Sequence, residues 1–561
     1  MNRPPHSQGS QCFPQKFFVF FGGSGKKVYL CSANRYCRHT MGTYINKGNM
    51  AFRETRNSEY IDKSGLIAVI NGTIDSRRKY SCITRSRRFG KSMAAEMLYA
   101  YYDQSCDSRE LFADLEIARD PSFEQHLNKY PTIFLDMSDF VTRFKDEGII
   151  LKVDEELRED MQEAYPDVPL REGDDLMKYL GRITASTRQR FIVIIDEWDA
   201  ICREFSIGTQ AMDNYLNWLR RMFKGGMTMQ VFAAVYMTGI LPVKKYKMQS
   251  AMNNFQEYSM VEPRNMAQQF GFTKDEVREL ATKHGMDFDE LEKWYDGYQI
   301  GDAPSIFNPN SVIQAVEVGR CRSFWASTGA FDTVADYIQM NYEGLRDDII
   351  RMLAGGRCEV DPTGFQNDMS IIRSKDDVLT VLIHLGYLSY DWKESECYIP
   401  NREVAGEMVN AVKINNWRVA SSLDASKRLL LATLDGDEDA VIQGIDAAHD
   451  ENTSILSYND ENSLACVLSI AYYYACNNYV VHRELASGKG FADIVLIPRK
   501  NVDSPAIVLE LKYNKDADAA IAQIHRKQYP AKVAEYADRL LLVGISYDRN
   551  TKQHTCKIER I

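Results

Sequence analysis

From Tyr60 to Ile240, short and almost unbroken apolar runs alternate with stretches whose apolar residues recur at helical spacing. Tyr80 to Thr84, Thr132 to Met137, Phe191 to Asp196 and Val231 to Thr238 are the apolar runs. Their continuity suits strands covered on both faces, as in a parallel sheet flanked by helices. Met93, Met97, Leu98 and Tyr101 mark a helix after the first run, and Tyr215, Leu216, Leu219 and Met222 mark another before the last.

Residues 262 to 450 read mostly as helices, with turns at Asp296-Gly297, Asn308-Pro309 and Pro400-Asn401. A second strand-rich unit follows. It is predicted to contain a helix from Glu461 to Ala475, strands Phe491 to Ile497 and Ala506 to Tyr513, a helix from Ala519 to about Tyr529, and a strand from Arg539 to Ile545. Residues 1 to 40 follow no sustained period, and Met41 opens a more coherent segment. The expected division is therefore an atypical extension (1–40), an α/β unit (41–260), a helical middle (261–450) and a small C-terminal α/β unit (451–561), in keeping with 561 residues being too many for one core.

Composition changes this picture little. The hydrophobic share of 45% and the charged share of 26% are those of an ordinary globular chain. A formal net charge of -10 lowers the expectation of a basic nucleic-acid footprint, although the clusters Arg85 to Lys91 and Lys244 to Lys247 are locally basic. The 12 cysteines include no C-x-x-C pair, so neither a zinc site nor a disulfide framework is expected. Apolar stretches are far shorter than the roughly 20 residues that cross a bilayer, which gives an expectation of no membrane association and a cytoplasmic location.

The first candidate chemistry lies after the first strand, in Arg85-Ser86-Arg87-Arg88-Phe89-Gly90-Lys91-Ser92. A phosphate-binding loop needs converging backbone N–H groups, a helix N-terminus, a lysine for the terminal phosphates and a hydroxyl for magnesium. Gly90, Lys91 and Ser92 supply the end of that pattern, whereas Arg85 stands where the first glycine belongs. Phe191 to Asp196 is a buried-strand run ending in Asp196-Glu197, the place for a magnesium-positioning carboxylate and a water-polarising glutamate. Thr238, at the polar end of the next apolar run, is a candidate sensor of the terminal phosphate. The bland alternative is that Lys91 and Ser92 merely open a helix and Asp196 caps another. Gly22 to Lys27 lacks Ser or Thr after its lysine and has no amphipathic helix behind it, so it is read as a decoy.

These residues resemble the AAA-ATPase-like family of bacterial proteins. The resemblance rests on Tyr60-Ile61-Asp62-Lys63-Ser64-Gly65-Leu66-Ile67, the arginine-rich loop, and Ile195-Asp196-Glu197-Trp198-Asp199. It extends through Met237-Thr238-Gly239-Ile240-Leu241-Pro242 and Trp294-Tyr295-Asp296-Gly297-Tyr298. It implies a P-loop NTPase fold that binds ATP through Arg87, Arg88, Phe89, Gly90, Lys91 and Ser92, with Ser92 and Asp196 on magnesium and Glu197 as base. An arginine finger stays unassigned among Arg87, Arg88, Arg203, Arg220 and Arg221.

The second candidate is a carboxylate cluster. Asp493 lies on one predicted strand and Glu510 on the next, where strand period two puts Glu510 and Lys512 on one face. Carboxylates are hard ligands for magnesium, and a neighbouring lysine can orient water. The bland reading is a solvated charged pair. The arrangement resembles the core of PD-(D/E)XK nucleases, with Glu461 in the acidic helix position and Gln523 in the polar accessory position. This implies a restriction-endonuclease-like α/β fold, with metal on Glu461, Asp493 and Glu510 and with DNA or RNA as substrate. The expected function is an ATP-hydrolysing unit coupled to a metal-dependent nuclease; the alternative is a nucleotide-dependent switch or scaffold whose nuclease-like domain does not cut. Oligomeric state is left open. Trp294, Tyr295, Tyr298 and Trp325 read as core aromatics more readily than as a stacking platform.

Overall fold

The computed structural model describes residues 42–561 apart from 145–147, 206–208, 244–251, 326–336, 338–341, 343, 354, 366–371, 415–418, 453–467, 469–471, 473–474, 476–478, 488–489, 499–503, 527–535 and 537. The side chains of 480–493 are likewise not described. The expectations for residues 1–40, for Glu461 and Tyr529 and for the basic run at 244–247 therefore lie outside the described residues.

Strands β1 (Tyr80–Thr84), β2 (Thr132–Asp136), β3 (Phe191–Asp196), β4 (Phe232–Gly239) and β5 (Gln256–Tyr258) form a sheet in the order β2-β3-β4-β1-β5. Every pairing in it is parallel. All residues of β1, β3 and β4 are buried, because consecutive side chains enter opposite cores. Cys82, Val193, Ile195, Val235 and Met237 join one core with the helices Ile149–Ala164, Leu176–Thr187 and Gln210–Phe223. Ile83, Ile192, Ile194, Ala234 and Tyr236 join the other with the helix Lys91–Tyr102.

Three predicted strand ends in this sheet move by one residue, the end of β4 from Thr238 to Gly239 among them. Met137 opens a helix capped by Asp136, which accepts from Ser138 N, and Val231 belongs to a helical turn. β5 was not foreseen, since Gln-Glu-Tyr carries no apolar run.

The middle of the chain is less uniformly helical than expected. β6 (Tyr298–Ile300) and β7 (Ala303–Ile306) form a hairpin, and β8 (Cys358–Glu359), β9 (Ser389–Asp391) and β10 (Glu396–Tyr398) form a small antiparallel sheet. These strands have two to four residues, too few to register as a period. The predicted turn positions all fall between elements: Asp296-Gly297 leads into β6, Asn308 caps the helix Pro309–Val318, and Pro400-Asn401 precedes the helix Arg402–Ile414. Gly297 has φ 98°, and a Cβ there would lie 1.9 Å from the carbonyl oxygen of Pro400, so only glycine fits. Asn401 donates from Nδ2 to the Asp296 carbonyl at 2.9 Å. The aromatic motif is core: Tyr295 and Tyr298 are fully buried and Trp325 nearly so.

The C-terminal sheet runs β11 (Tyr479–Ser487), β12 (Gly490–Pro498), β13 (Ala506–Tyr513), β14 (Leu540–Asp548), β15 (Gln553–Arg560) in spatial order. β13 and β14 are parallel, joined through the helix Ala517–Arg526, and the other pairs are antiparallel. β13 matches its predicted limits; β11 and β15 were not foreseen. β15 alternates exposed and buried positions at its start, an edge-strand pattern that polar residues concealed. Among the described residues no helix is long and apolar enough to cross a membrane.

Candidate functional site

In a parallel sheet all strands end at one edge, and the loops beyond that edge are where ligands bind in open α/β folds. Here β4 lies between β1 and β3, so the loop after β1, the carboxylates after β3 and Thr238 near the end of β4 meet at one edge. Thr84 pairs with Gly239 in register, and Trp198 N donates to the Thr238 carbonyl at 2.9 Å. The Thr238 side chain is buried, and among the described residues its Oγ1 has no hydrogen-bond partner.

The helix Lys91–Tyr102 opens directly after the loop, with Gly90 at its N-cap in the left-handed region at φ 81°. A Cβ at Gly90 would meet nothing within 4 Å, so backbone conformation and not crowding selects glycine. Lys91 Nζ donates across the loop to the Ser86 carbonyl at 3.1 Å. Burial pulls this ammonium below its ordinary value, against the attraction of Glu197, Asp196 and Asp199. Ser92 is exposed at the loop's mouth.

The Asp196 carboxyl is pushed up to about 6, first by burial and then by Glu197 and Asp136, while a hydrogen bond from Ser92 and the charge of Lys91 oppose the rise. A buried acid of this kind is costly to ionise alone and suits a divalent cation. Glu197 behaves differently. Burial pushes it up, but Lys91 and Arg203 outweigh burial and hold it below the ordinary carboxylate range.

Arg85 explains the missing glycine. Its guanidinium is fully buried and donates to the carbonyls of Thr84 (2.8 Å), Tyr258 (2.8 Å) and Met266 (2.9 Å). It stitches the loop to β5 and the turn beyond it. Burial lowers its pKa to about 10, and it lies over the Phe270 ring at 5.3 Å.

Arg88, at φ 68°, donates to the Phe324 carbonyl at 2.7 Å, and Phe89 packs edge-on against Tyr298 at 5.1 Å between ring centres. The Phe89 side chain is thus core, and only its backbone remains to meet a ligand. Of the five candidate fingers, Arg203 is engaged with Glu197 and Asp199, Arg88 with Phe324, and Arg220 with Asn217. Arg87 lies near enough to Glu197 and Tyr387 to act on both electrostatically. The sequence reading gave Asp199 no role. The i, i+4 spacing of Asp199 and Arg203 was the available signal.

In the C-terminal sheet Glu510 and Lys512 share one face of β13, as strand periodicity required. Lys512 Nζ donates to Glu510 Oε1 at 3.2 Å and to the Leu511 carbonyl at 2.6 Å. Gln523, on the crossover helix, also donates to Glu510 Oε1. Glu510 is 1% exposed and Lys512 5%, which overturns the solvated-pair alternative. Asp493 lies in β12, one residue before the point where Ile494 pairs with Leu509. Its side chain, like all of Glu461, lies outside the described residues. Among the described residues no group of three or more His, Cys, Asp or Glu is arranged to hold a metal.

Residues 48–249 match the family described as predicted AAA-ATPase, and residues 459–556 match the PD-(D/E)XK nuclease superfamily. The chain thus carries an AAA-ATPase-like domain followed by a nuclease-superfamily domain. No curated protein matches it. Among solved structures it is similar to the Aeropyrum pernix ORC2 protein in ADPNP and ADP complexes, at 11% identity and a TM-score of 0.32, over 67% of this chain and 99% of that one. The Aeropyrum pernix ORC1 protein in complex with DNA matches at 10% identity and a TM-score of 0.25, over 66% and 97%. Cdc6p from Pyrobaculum aerophilum matches at 10% and 0.24, over 64% and 94%.

Proposed function

We propose that the chain binds and hydrolyses ATP at the edge formed by β1, β3 and β4, and that this governs a metal-dependent phosphodiesterase centred on β13. The observation that carries the first half is the convergence of Lys91, Asp196, Glu197 and Thr238 on one strand edge, although they are far apart in sequence. The Thr238 hydroxyl, buried without a partner among the described residues, supports a polar ligand there.

Lys91, released from the Ser86 carbonyl, neutralises the terminal phosphates. The N–H groups opening the helix Lys91–Tyr102 add the positive end of its dipole. Ser92 and Asp196 offer a hydroxyl and a carboxylate, a hard-oxygen set that suits magnesium. Bound magnesium would offset charge on the phosphate oxygens. Glu197, held ionised by its cations, accepts a hydrogen bond from the attacking water and orients it. Thr238 donates its hydroxyl to the terminal phosphate.

In the C-terminal domain, Glu510 and Asp493, with Glu461, are the proposed metal ligands. Lys512 orients water and stabilises charge at the phosphate, and Gln523 fixes Glu510. DNA or RNA is the proposed substrate. The division at 41–260, 261–450 and 451–561 would give each activity its own unit with a helical coupler. A second reading, a nucleotide-dependent switch that binds without cutting, draws support from the near-complete burial of Glu510.

The test is direct. Purified full-length protein, with magnesium or manganese and ATP, is given DNA and RNA. Lys91→Ala should lose ATP turnover, and Asp493→Ala should lose cleavage. Equal degradation by wild type and Asp493→Ala excludes the nuclease. Cleavage by neither leaves the switch.

A further inference from the structure

Glu197 is placed by more than its own strand end. It has φ 50°, a left-handed conformation uncommon for a residue with a side chain, and its carboxylate is ion-paired through Oε2 with Arg203 Nη2. The same guanidinium lies 2.6 Å from Asp199 Oδ1 through Nη1, an ion pair by proximity whose N–H is not aligned as a hydrogen bond. Asp199 is fully buried, and its Oδ2 accepts from Ile240 N at 3.1 Å and Leu241 N at 2.9 Å. Ile240 and Leu241 follow Thr238 and Gly239 at the end of β4. An unbroken chain of contacts therefore runs from Glu197 through Arg203 and Asp199 to the backbone beside Thr238.

Two cations compete for Glu197. Lys91 attracts it as well as Arg203. A glutamate left to Lys91 alone would be drawn towards the lysine that ATP requires and away from the water it must orient. Arg203 can hold Glu197 off that path because Asp199 braces the guanidinium from its other side. Arg203 is half-sheltered, at 20% side-chain exposure, whereas Asp199 is sealed.

We infer that Arg203 is a positioning residue for ATP hydrolysis, acting through Glu197 and anchored by Asp199, and is not an arginine finger that meets phosphate. This rests on the reading of Glu197 as the group that orients water. It removes one of the five arginines from the finger candidates and mounts Glu197 and Thr238 on one rigid unit.

The test separates turnover from binding in the full-length protein. Affinity is measured with a fluorescent, non-hydrolysable ATP analogue, kcat with ATP, and folding by melting temperature. Arg203→Gln should lower kcat roughly 30- to 100-fold, the scale of an angstrom-sized misplacement, with Kd within about threefold of wild type. Arg203→Lys, which keeps a cation beside Glu197, should recover kcat to within about tenfold of wild type. A kcat within twofold of wild type for Arg203→Gln, or a loss of affinity as large as the loss of kcat, overturns the inference. Should Arg203→Gln not fold, Arg203→Lys carries the test. It must lose at least about threefold in kcat at unchanged Kd, because an ammonium cannot span both carboxylates as a guanidinium does; a wild-type kcat sinks the proposal. Glu197→Gln is the control. If it turns over ATP at the wild-type rate, the reading of Glu197 fails, a result distinguishable from failure at Arg203 alone.

Discussion

The two candidate sites place charge in the fold in opposite ways. At the phosphate loop the charged groups come from the ends of different strands and from the loops beyond them, and each is met by groups from another element. On β13 a carboxylate and an ammonium sit two residues apart on one strand, 3.2 Å from each other and under the helix Ala517–Arg526. The first arrangement lets a side chain be exchanged with little damage to the core. In the second, the two charges are buried side by side on one strand, so removing either disturbs a dry interior.

The largest expected effect tests that difference on stability. Glu510→Ala removes a buried carboxylate that accepts from both Lys512 and Gln523 and should cost about 3–5 kcal/mol in urea unfolding. Adding Lys512→Met should recover part of the loss, since it replaces a buried ammonium with an apolar chain of similar length. If the single variant is no less stable than wild type, the pair is not buried as described and the contrast collapses.

Lys91→Ala is the counterpart at the loop. It gives up one hydrogen bond to a carbonyl, and burial already disfavours its charge, so stability should change by no more than about 1 kcal/mol. ATP affinity, by contrast, should fall at least about a hundredfold, near 3 kcal/mol, because the lysine's charge-assisted bonds to phosphate are lost. Isothermal titration and urea melts on one preparation give both numbers. Wild-type affinity would sink the nucleotide site.

How much of this was legible in sequence follows from the range of the interactions. β1 and β3 could be delimited to the residue because a strand buried on both faces is apolar throughout, and Glu510 with Lys512 because period two leaves no freedom. The positions of Lys91 at a helix start and Asp196 at a strand end were legible because the loop and strand end bring their own local pattern. Arg85 was not. It reads as a defect in the motif, and its purpose depends on carbonyls of Tyr258 and Met266 that chain order does not bring near. The same holds for Phe89, which looked like part of the loop until Tyr298 from the middle of the chain covered it. β5, β11 and β15 escaped because a short or partly polar strand at a sheet edge lacks the continuous run that marks a central one.

Arg85→Gly turns that lesson into a measurement. The substitution restores the glycine of the standard loop pattern and so should improve the site if motif alone decided. Here it removes three bonds to backbone carbonyls, two of them beyond the loop, and adds a flexible residue. The expected outcome is a loss of about 2–3 kcal/mol in stability together with weaker ATP binding. A variant as stable as wild type that binds ATP more tightly would mean that Arg85 is a relic and not a brace.

A pH-dependent effect, absent in acid, concerns the loop's link to the middle of the chain. Arg88 bonds the Phe324 carbonyl, Phe324 N donates to Glu403 Oε1 at 2.6 Å, and Ser323 bonds Glu407 at 2.8 Å. Glu403 is 1% exposed, and its carboxyl is pushed up to about 7, mainly by burial and further by Glu407, with Phe324 N–H, Ser311 and Arg88 opposing. An acid whose folded pKa exceeds its unfolded one binds protons more tightly when folded, so its contribution is complete below about pH 4.5 and is lost as pH rises towards 7. Glu403→Gln keeps the acceptor for Phe324 N and cannot ionise. The two proteins should therefore be about equally stable below pH 4.5, and the variant should be more stable by about 3 kcal/mol at pH 8. Urea unfolding across that range decides it: a gap that stays constant with pH would mean that Glu403 does not titrate between the two states, and the link from Arg88 to the Arg402–Ile414 helix would then rest on hydrogen bonds alone.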